Sequence, residues 1–155
     1  MYTFAVQNQK GKAVEEAFTV LLDAANIPWA YNPYTGTDDP RRADYDVSVG
    51  NILVEVKGNP MAATTGNVAI EEDILETSKA DYFLIAFPVP DGWHGRMLHR
   101  LEIDKLLRAS KMNWNGRTYK YKRVEAGQYH RPSALIPTSD LIGIPVSEFI
   151  INLKV

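Results

Sequence analysis

Residues 44 to 58, DYDVSVGNILVEVKG, constrain the fold more than any other stretch, because two arms rich in valine and isoleucine meet at Gly50-Asn51. A two-residue turn of this kind closes a β-hairpin and fixes its register. Counting outward, Val49 faces Ile52, Ser48 faces Leu53, Val47 faces Val54, Asp46 faces Glu55, Tyr45 faces Val56 and Asp44 faces Lys57. Side chains alternate across a strand, so Tyr45, Val47, Val49, Ile52, Val54 and Val56 form one apolar face. The other face gathers Asp44, Asp46, Ser48, Leu53, Glu55 and Lys57, more charge than core packing requires.

Directly opposed residues have Cβ atoms about 4.5 to 5.5 Å apart, and two carboxylates held there repel unless something positive lies between them. A divalent cation supplies that charge. Magnesium prefers hard oxygen ligands, keeps several waters and commonly takes one or two carboxylates, which Asp46 and Glu55 would provide. Lys57, two residues on along the same face, would orient an attacking water or stabilise charge on a phosphoryl oxygen. The alternative is a solvated face on which Asp44 and Lys57 pair across the strands and Asp46 sits in water. The opposed acids and the near-continuous ILVEVKG run of a central strand favour the site.

Around the hairpin, Val14, Ala17, Phe18, Leu21, Leu22 and Ala25 fall at helical spacing, so residues 11–25 form an amphipathic helix stopped by Asn26-Ile27-Pro28. A short strand at 29–32 leads into a loop, PYTGTDDPRR. Residues 67–80 are read as a helix and DYFLIAFPV as a buried strand. Residues 97–109 form a second amphipathic helix through Leu98, Leu101, Ile103 and Leu106. MNWNGRTYKYKRV offers an Asn115-Gly116 turn between two strand-like arms. The proline-interrupted tail resists assignment. With no repeat or linker, the 155 residues are expected to form one α/β domain, its catalytic core at about 11–87 and a basic hairpin region at about 96–131.

Cysteine is absent, which removes disulfides, thiolate zinc sites and cysteine nucleophiles. Neither an apolar leader nor a run of roughly 18 apolar residues is found, so a cytoplasmic protein with no membrane partner is expected. GKA at 11–13 lacks the rest of a phosphate loop, and His94, His99 and His130 lack ligand spacing. The net charge of −2 conceals segregation: Arg96 to Arg131 holds ten Lys/Arg against three Asp/Glu, and the remainder seven against sixteen. The basic segment is the expected DNA contact, through Arg117, Lys120, Lys122 and Arg123 interleaved with Tyr119 and Tyr121, with Arg41 and Arg42 as a second patch. A solvated charged ribbon is the competing reading.

Asp46 followed by Glu55-Val56-Lys57 across a tight hairpin, with an acidic amphipathic helix ahead, resembles the PD-(D/E)xK nuclease superfamily. GNVAIEED (66–73) and SKADYFLIAF (78–87) are similar to the corresponding region of phage-encoded, Holliday-junction-resolvase-like nucleases. The resemblance implies a restriction-endonuclease-like mixed β-sheet flanked by helices. It also implies hydrolysis of DNA phosphodiesters with Mg2+, for which Mn2+ would substitute, at a site where Asp46, Glu55 and the Val56 carbonyl hold the metal. Branched DNA is the leading substrate and a homodimer the implied assembly; an end-dependent or nicking nuclease, or a non-catalytic DNA-binding module, are the alternatives. The family often adds a glutamate from its first helix. At 100° per residue Glu15 borders the apolar stripe and Glu16 points away, so Glu15 is the candidate, although helix-dipole stabilisation would also place a glutamate there. Asp44 and Glu71 are auxiliary candidates. Tyr45 stands where the family has its proline, and Glu71, Glu72 and Asp73 stand where many members carry a lysine or glutamine.

Overall fold

The computed structural model of the chain describes residues 4–112, 122–126, 131–142 and 150–153, with side-chain surroundings at 12–108 and 132–141. In chain order the elements are α1 (Phe4–Ala24), β1 (Ala30–Tyr31), a 3-10 turn (Pro40–Ala43), β2 (Val47–Val49), β3 (Ile52–Gly58), α2 (Ala62–Thr65), β4 (Asn67–Glu71) and α3 (Ile74–Thr77). They continue with β5 (Tyr82–Val89), β6 (Gly92–His99), α4 (Arg100–Met112), β7 (Lys122–Ala126), β8 (Arg131–Pro137), α5 (Thr138–Ile142) and β9 (Ile150–Leu153).

The main sheet runs β1-β2-β3-β5-β6-β9 and is mixed: β3 and β5 are parallel, the other neighbours antiparallel. A second, antiparallel sheet has the order β4-β8-β7. β3 and β5 supply the middle of the main sheet because ILVEVKG and YFLIAFPV are apolar enough to be covered on both sides. On one side, Val14, Phe18 and Leu22 of α1 pack against Val47, Val54, Val56, Leu84, Ala86, Trp93 and Met97. On the other, Phe83, Ile85, Phe87 and Leu98 join Val68, Ile70, Ala134 and Ile136 of the small sheet and Ile103, Leu106 and Leu107 of α4. Both sheets therefore share one apolar layer.

The helix at 11–25 is present and starts earlier, at Phe4; Asn26 ends it in a left-handed conformation, φ 57°, with Ile27 N–H donating to the Leu22 carbonyl. Leu21, placed on the buried stripe by spacing, is 38% exposed, so the buried face is the narrower Val14-Phe18-Leu22 row. The helix expected over 67–80 is replaced by β4 and the single turn α3. NVAIE alternates, burying Val68 and Ile70, but its partner β8 lies more than sixty residues downstream, where no local window reveals it. The second helix is shifted: Met97 to His99 finish β6, α4 begins at Arg100, and Leu101 is 63% exposed.

α4 runs through Met112, and β7 pairs with β8, Lys122 opposite Leu135 and Arg123 opposite Ala134. The Asn115-Gly116 turn, with Trp114, Arg117, Tyr119, Lys120 and Tyr121, lies outside the described residues. Among the described residues, no helix is long and apolar enough to cross a membrane.

Candidate active site

The hairpin forms with the expected register at its tip: Val49↔Ile52, Ser48↔Leu53 and Val47↔Val54. Gly50 takes φ 60°, the conformation a type II′ turn asks of its first central residue. Below Val47 the register changes. The Asp46 N–H donates to the carbonyl of Val54, the residue already opposite Val47, at 3.0 Å, which inserts one residue into this arm as a β-bulge.

The bulge reassigns every side chain beneath it. Tyr45 packs against the apolar layer shared by the two sheets, not beside Val47. Asp44 does not oppose Lys57: its carboxylate pairs with Lys79 at 3.6 Å, and its carbonyl accepts the Lys79 N–H at 2.7 Å, so this auxiliary candidate is engaged by Lys79 instead. Asp46 is no longer the ladder partner of Glu55. Its carboxylate instead turns to the edge of β3 that β2 has vacated, and accepts the Val56 N–H at 2.7 Å. The Val56 carbonyl leaves the strand on that same edge. At the tip, Ile52 is 45% exposed rather than part of the apolar face.

Asn32 holds the bulge in place. It is buried, and its amide donates to the Arg41 and Tyr45 carbonyls (both 2.9 Å) while its side-chain oxygen accepts from the Tyr34 N–H at 2.9 Å. The PYTGTDDPRR loop is thereby pinned one residue away from Asp46. Nothing in the hairpin pattern pointed to Asn32.

Three carboxylates converge at the vacated edge. Glu15, half-buried on α1, hydrogen-bonds with Asp46 and senses Glu55, while Glu16 is exposed. Burial, then the neighbouring Asp46 charge, raises the Glu15 pKa to about 7. Glu55 is likewise raised to about 7 by burial and by Asp46, against the opposing pull of Lys57 and Ser78. Asp46 is raised by burial, with the Val56 N–H and Lys57 holding it back. Near neutral pH the acids thus share protons because they cannot all ionise together.

Lys57 lies between two acids, 3.5 Å from Glu55 and 3.7 Å from Glu71. Burial would lower its pKa, but Glu55, Glu71 and Asp46 more than compensate and raise it, so the ammonium stays charged. Glu71 arrives from β4, in the other sheet, which is why the helix reading of 67–80 could not place it. Ser78, overlooked although it opens the SKADYFLIAF segment, lies 3.2 Å from a Glu55 oxygen and 3.1 Å from the Asp44 carbonyl, and its one hydroxyl proton serves one of these at a time. Arg100 fixes that segment by donating to the Ser78 and Ala80 carbonyls (3.0 and 2.9 Å) and to Leu75 O.

Among the described residues, no group of three or more acid or histidine side chains is already spaced as a metal-ligand cluster. The smaller donor set of Asp46, Glu55 and the Val56 carbonyl is all hard oxygen, and a cation there would relieve the repulsion that protons now relieve; the chemistry of the residues fits magnesium or manganese.

The basic segment looks different in three dimensions. Arg96 is buried in β6, Arg100 is committed to loop carbonyls, and Lys105 and Arg108 pair with Glu102 and Asp104 along α4. Arg41 binds Asp39 at 2.6 Å and lies 3.9 Å above the Tyr34 ring, and Arg42 donates to the Thr37 carbonyl. The side chains of Lys122 and Arg123 are outside those described. Comparison with protein-family models, curated proteins and solved structures returned no match.

Proposed function

We propose that the chain is a divalent-metal-dependent deoxyribonuclease with a restriction-endonuclease-like core of the PD-(D/E)xK type. One observation carries the reading: Asp46, Glu55 and Glu15, from a bulge, a strand and a helix, crowd the vacated edge of β3 beside a charged Lys57. Unpaired buried acids are costly, and a structural salt-bridge ladder would alternate their signs. Asp46, Glu55 and the Val56 carbonyl would hold Mg2+ or Mn2+, which when bound supplies Lewis acidity at a phosphodiester. Glu15, which keeps its proton up to about pH 7, hydrogen-bonds to Asp46 and restrains it. Lys57 places a fixed positive charge where the attacking water or a phosphoryl oxygen would lie. Glu71 and Ser78 hold Lys57 and Glu55 in position.

The test is incubation of linear, nicked, flapped and four-way DNA with Mg2+ or Mn2+. Cleavage is expected with metal, none in excess chelator, and none from Glu55→Ala or Lys57→Ala protein whose circular dichroism is unchanged. Equal cleavage in chelator would reject the reading.

A further inference from the structure

Asn32 is nearly sealed from solvent, 2% exposed, at the point where β1 gives way to the PYTGTDDPRR loop. Burying an amide is costly unless its hydrogen bonds are made, and here every polar group of Asn32 has a partner. Its carbonyl accepts the Thr35 N–H at 3.1 Å, and its side-chain oxygen accepts the Tyr34 N–H at 2.9 Å. With Pro33 next in the chain, those bonds are what a turn opened by asparagine requires. A turn asks nothing of the side-chain amide hydrogens or of the Asn32 N–H.

Those remaining donors reach the arm that carries Asp46. The Asn32 N–H donates to the Asp46 carbonyl at 3.0 Å, and the side-chain amide donates to the carbonyls of Tyr45 and Arg41, both at 2.9 Å. The Tyr45 carbonyl belongs to the peptide before the Asp46 α-carbon, and the Asp46 carbonyl to the peptide after it. One residue therefore grips both peptides that flank Asp46. The Asp46 N–H, donating to the Val54 carbonyl at 3.0 Å, adds a tether from β3. A bulge interrupts the regular ladder that would otherwise fix this stretch, and the Asn32 clamp takes its place. With the backbone held, the Asp46 side-chain torsions are what remain to be set, and the Val56 N–H sets them at 2.7 Å from the carboxylate.

We infer that Asn32 is a positioning residue for cation binding: by clamping the peptides on either side of Asp46, it aims the carboxylate at the vacated edge of β3 before a divalent ion arrives. The inference rests on the metal site of the nuclease reading and adds the residue that preforms it. Ligands held by hydrogen-bonded neighbours bind metal more tightly, because less ordering is left to occur on binding.

Asn32→Asp is the discriminating change. Aspartate opens such turns as asparagine does, but its carboxylate cannot donate to Tyr45 or Arg41. Its added negative charge would by itself favour a cation, so weaker binding reports geometry. Mn2+ titrated into DNA-free protein, with the free ion followed by electron paramagnetic resonance, should bind about tenfold more weakly than to wild type, the lower end of what partners of metal ligands contribute. Asn32→Ser, which adds no charge and keeps a turn-forming oxygen, should behave likewise. Asp39→Ala loosens the same loop by removing the acceptor of the Arg41 N–H, leaves the Asn32 bonds in place, and should bind Mn2+ as wild type does. In metal-free wild-type protein the Asp46 N–H should already be strongly protected from hydrogen exchange, and Mg2+ should add little. Unchanged Mn2+ affinity in the Asn32 variants, an equal loss in Asp39→Ala, or an Asp46 N–H protected only once Mg2+ is bound would overturn this inference alone. Wild-type protein that binds no Mn2+ would overturn the metal site and this inference with it.

Discussion

The Asp46 carboxylate accepts the Val56 N–H at 2.7 Å, a bond that exists because Asp46 has been displaced from the ladder in which it would have faced Glu55. A regular hairpin would leave Asp46 on one face of the sheet and Glu15 on the other. The bulge brings Asp46 to the strand's edge, where a helix residue and a strand residue can both reach it.

The first expectation separates the two aspartates. Asp46→Asn should reduce metal-dependent cleavage at least about a hundredfold, the scale expected when a group stabilising transition-state charge is lost. Its amide oxygen can still accept from Val56, so the fold should persist. Asp44→Asn, with its side chain directed to Lys79, should stay within a few-fold of wild type. Comparable losses from both in a single-turnover assay would place Asp44 in the site after all.

Protonation of the acids should show in stability. Glu15 and Glu55 titrate near 7 in the folded chain against a usual 4.5, so between these values the folded state holds protons that the unfolded state has released. Their contribution to stability is therefore full below about pH 4.5, declines as pH rises through 7 and is flat above. Mg2+ should raise Tm more at pH 8 than at pH 5, because at low pH it competes with bound protons. Glu15→Gln should reduce the pH dependence. A Tm gain from Mg2+ that is equal at both pH values would contradict this account.

Ser78→Ala tests whether a hydroxyl near Glu55 matters. Partners of metal ligands typically contribute about 10- to 100-fold in metal affinity. Half-maximal cleavage should therefore need about tenfold more Mn2+, with the maximal rate largely kept; an unchanged metal titration would reduce Ser78 to a packing residue.

Helix α1 offers a stability contrast. Phe18, 4% exposed against the main sheet, should cost about 3 to 5 kcal/mol on change to alanine. Leu21→Ala should cost less than about 1 kcal/mol, since the side chain is already partly in water. Urea denaturation distinguishes the two, and similar losses would put Leu21 back in the core.

DNA affinity should depend on the basic segment beyond α4. Changing Lys120, Lys122 and Arg123 to alanine should weaken binding to all DNA alike and flatten the slope of log affinity against log salt by about 0.9 per lost contact. Metal binding should survive. Since the described Arg96, Arg100, Lys105 and Arg108 are buried or paired, an unchanged slope would direct attention to Arg41 and Arg42.

What the sequence determined by itself was local and periodic. Gly50-Asn51 set the hairpin tip, the spacing of Val14, Phe18 and Leu22 set the buried side of α1 and with it Glu15 over Glu16, and the apolar run of residues 82–89 set a central strand. Each depends on neighbours within one element, whose backbone period the residue types report directly. Tertiary structure decided the rest. The bulge at Asp46 depends on Asn32 and on which sheet face Tyr45 can bury; β4 is a strand only because β8, far along the chain, pairs with it; and Glu71 and Ser78 reach Lys57 and Glu55 through that pairing and through Arg100. Long-range hydrogen bonds override weak local preference where a segment as short as NVAIE fits either state, so the residue types name the acids and the lysine, and only the folded chain selects which of them meet.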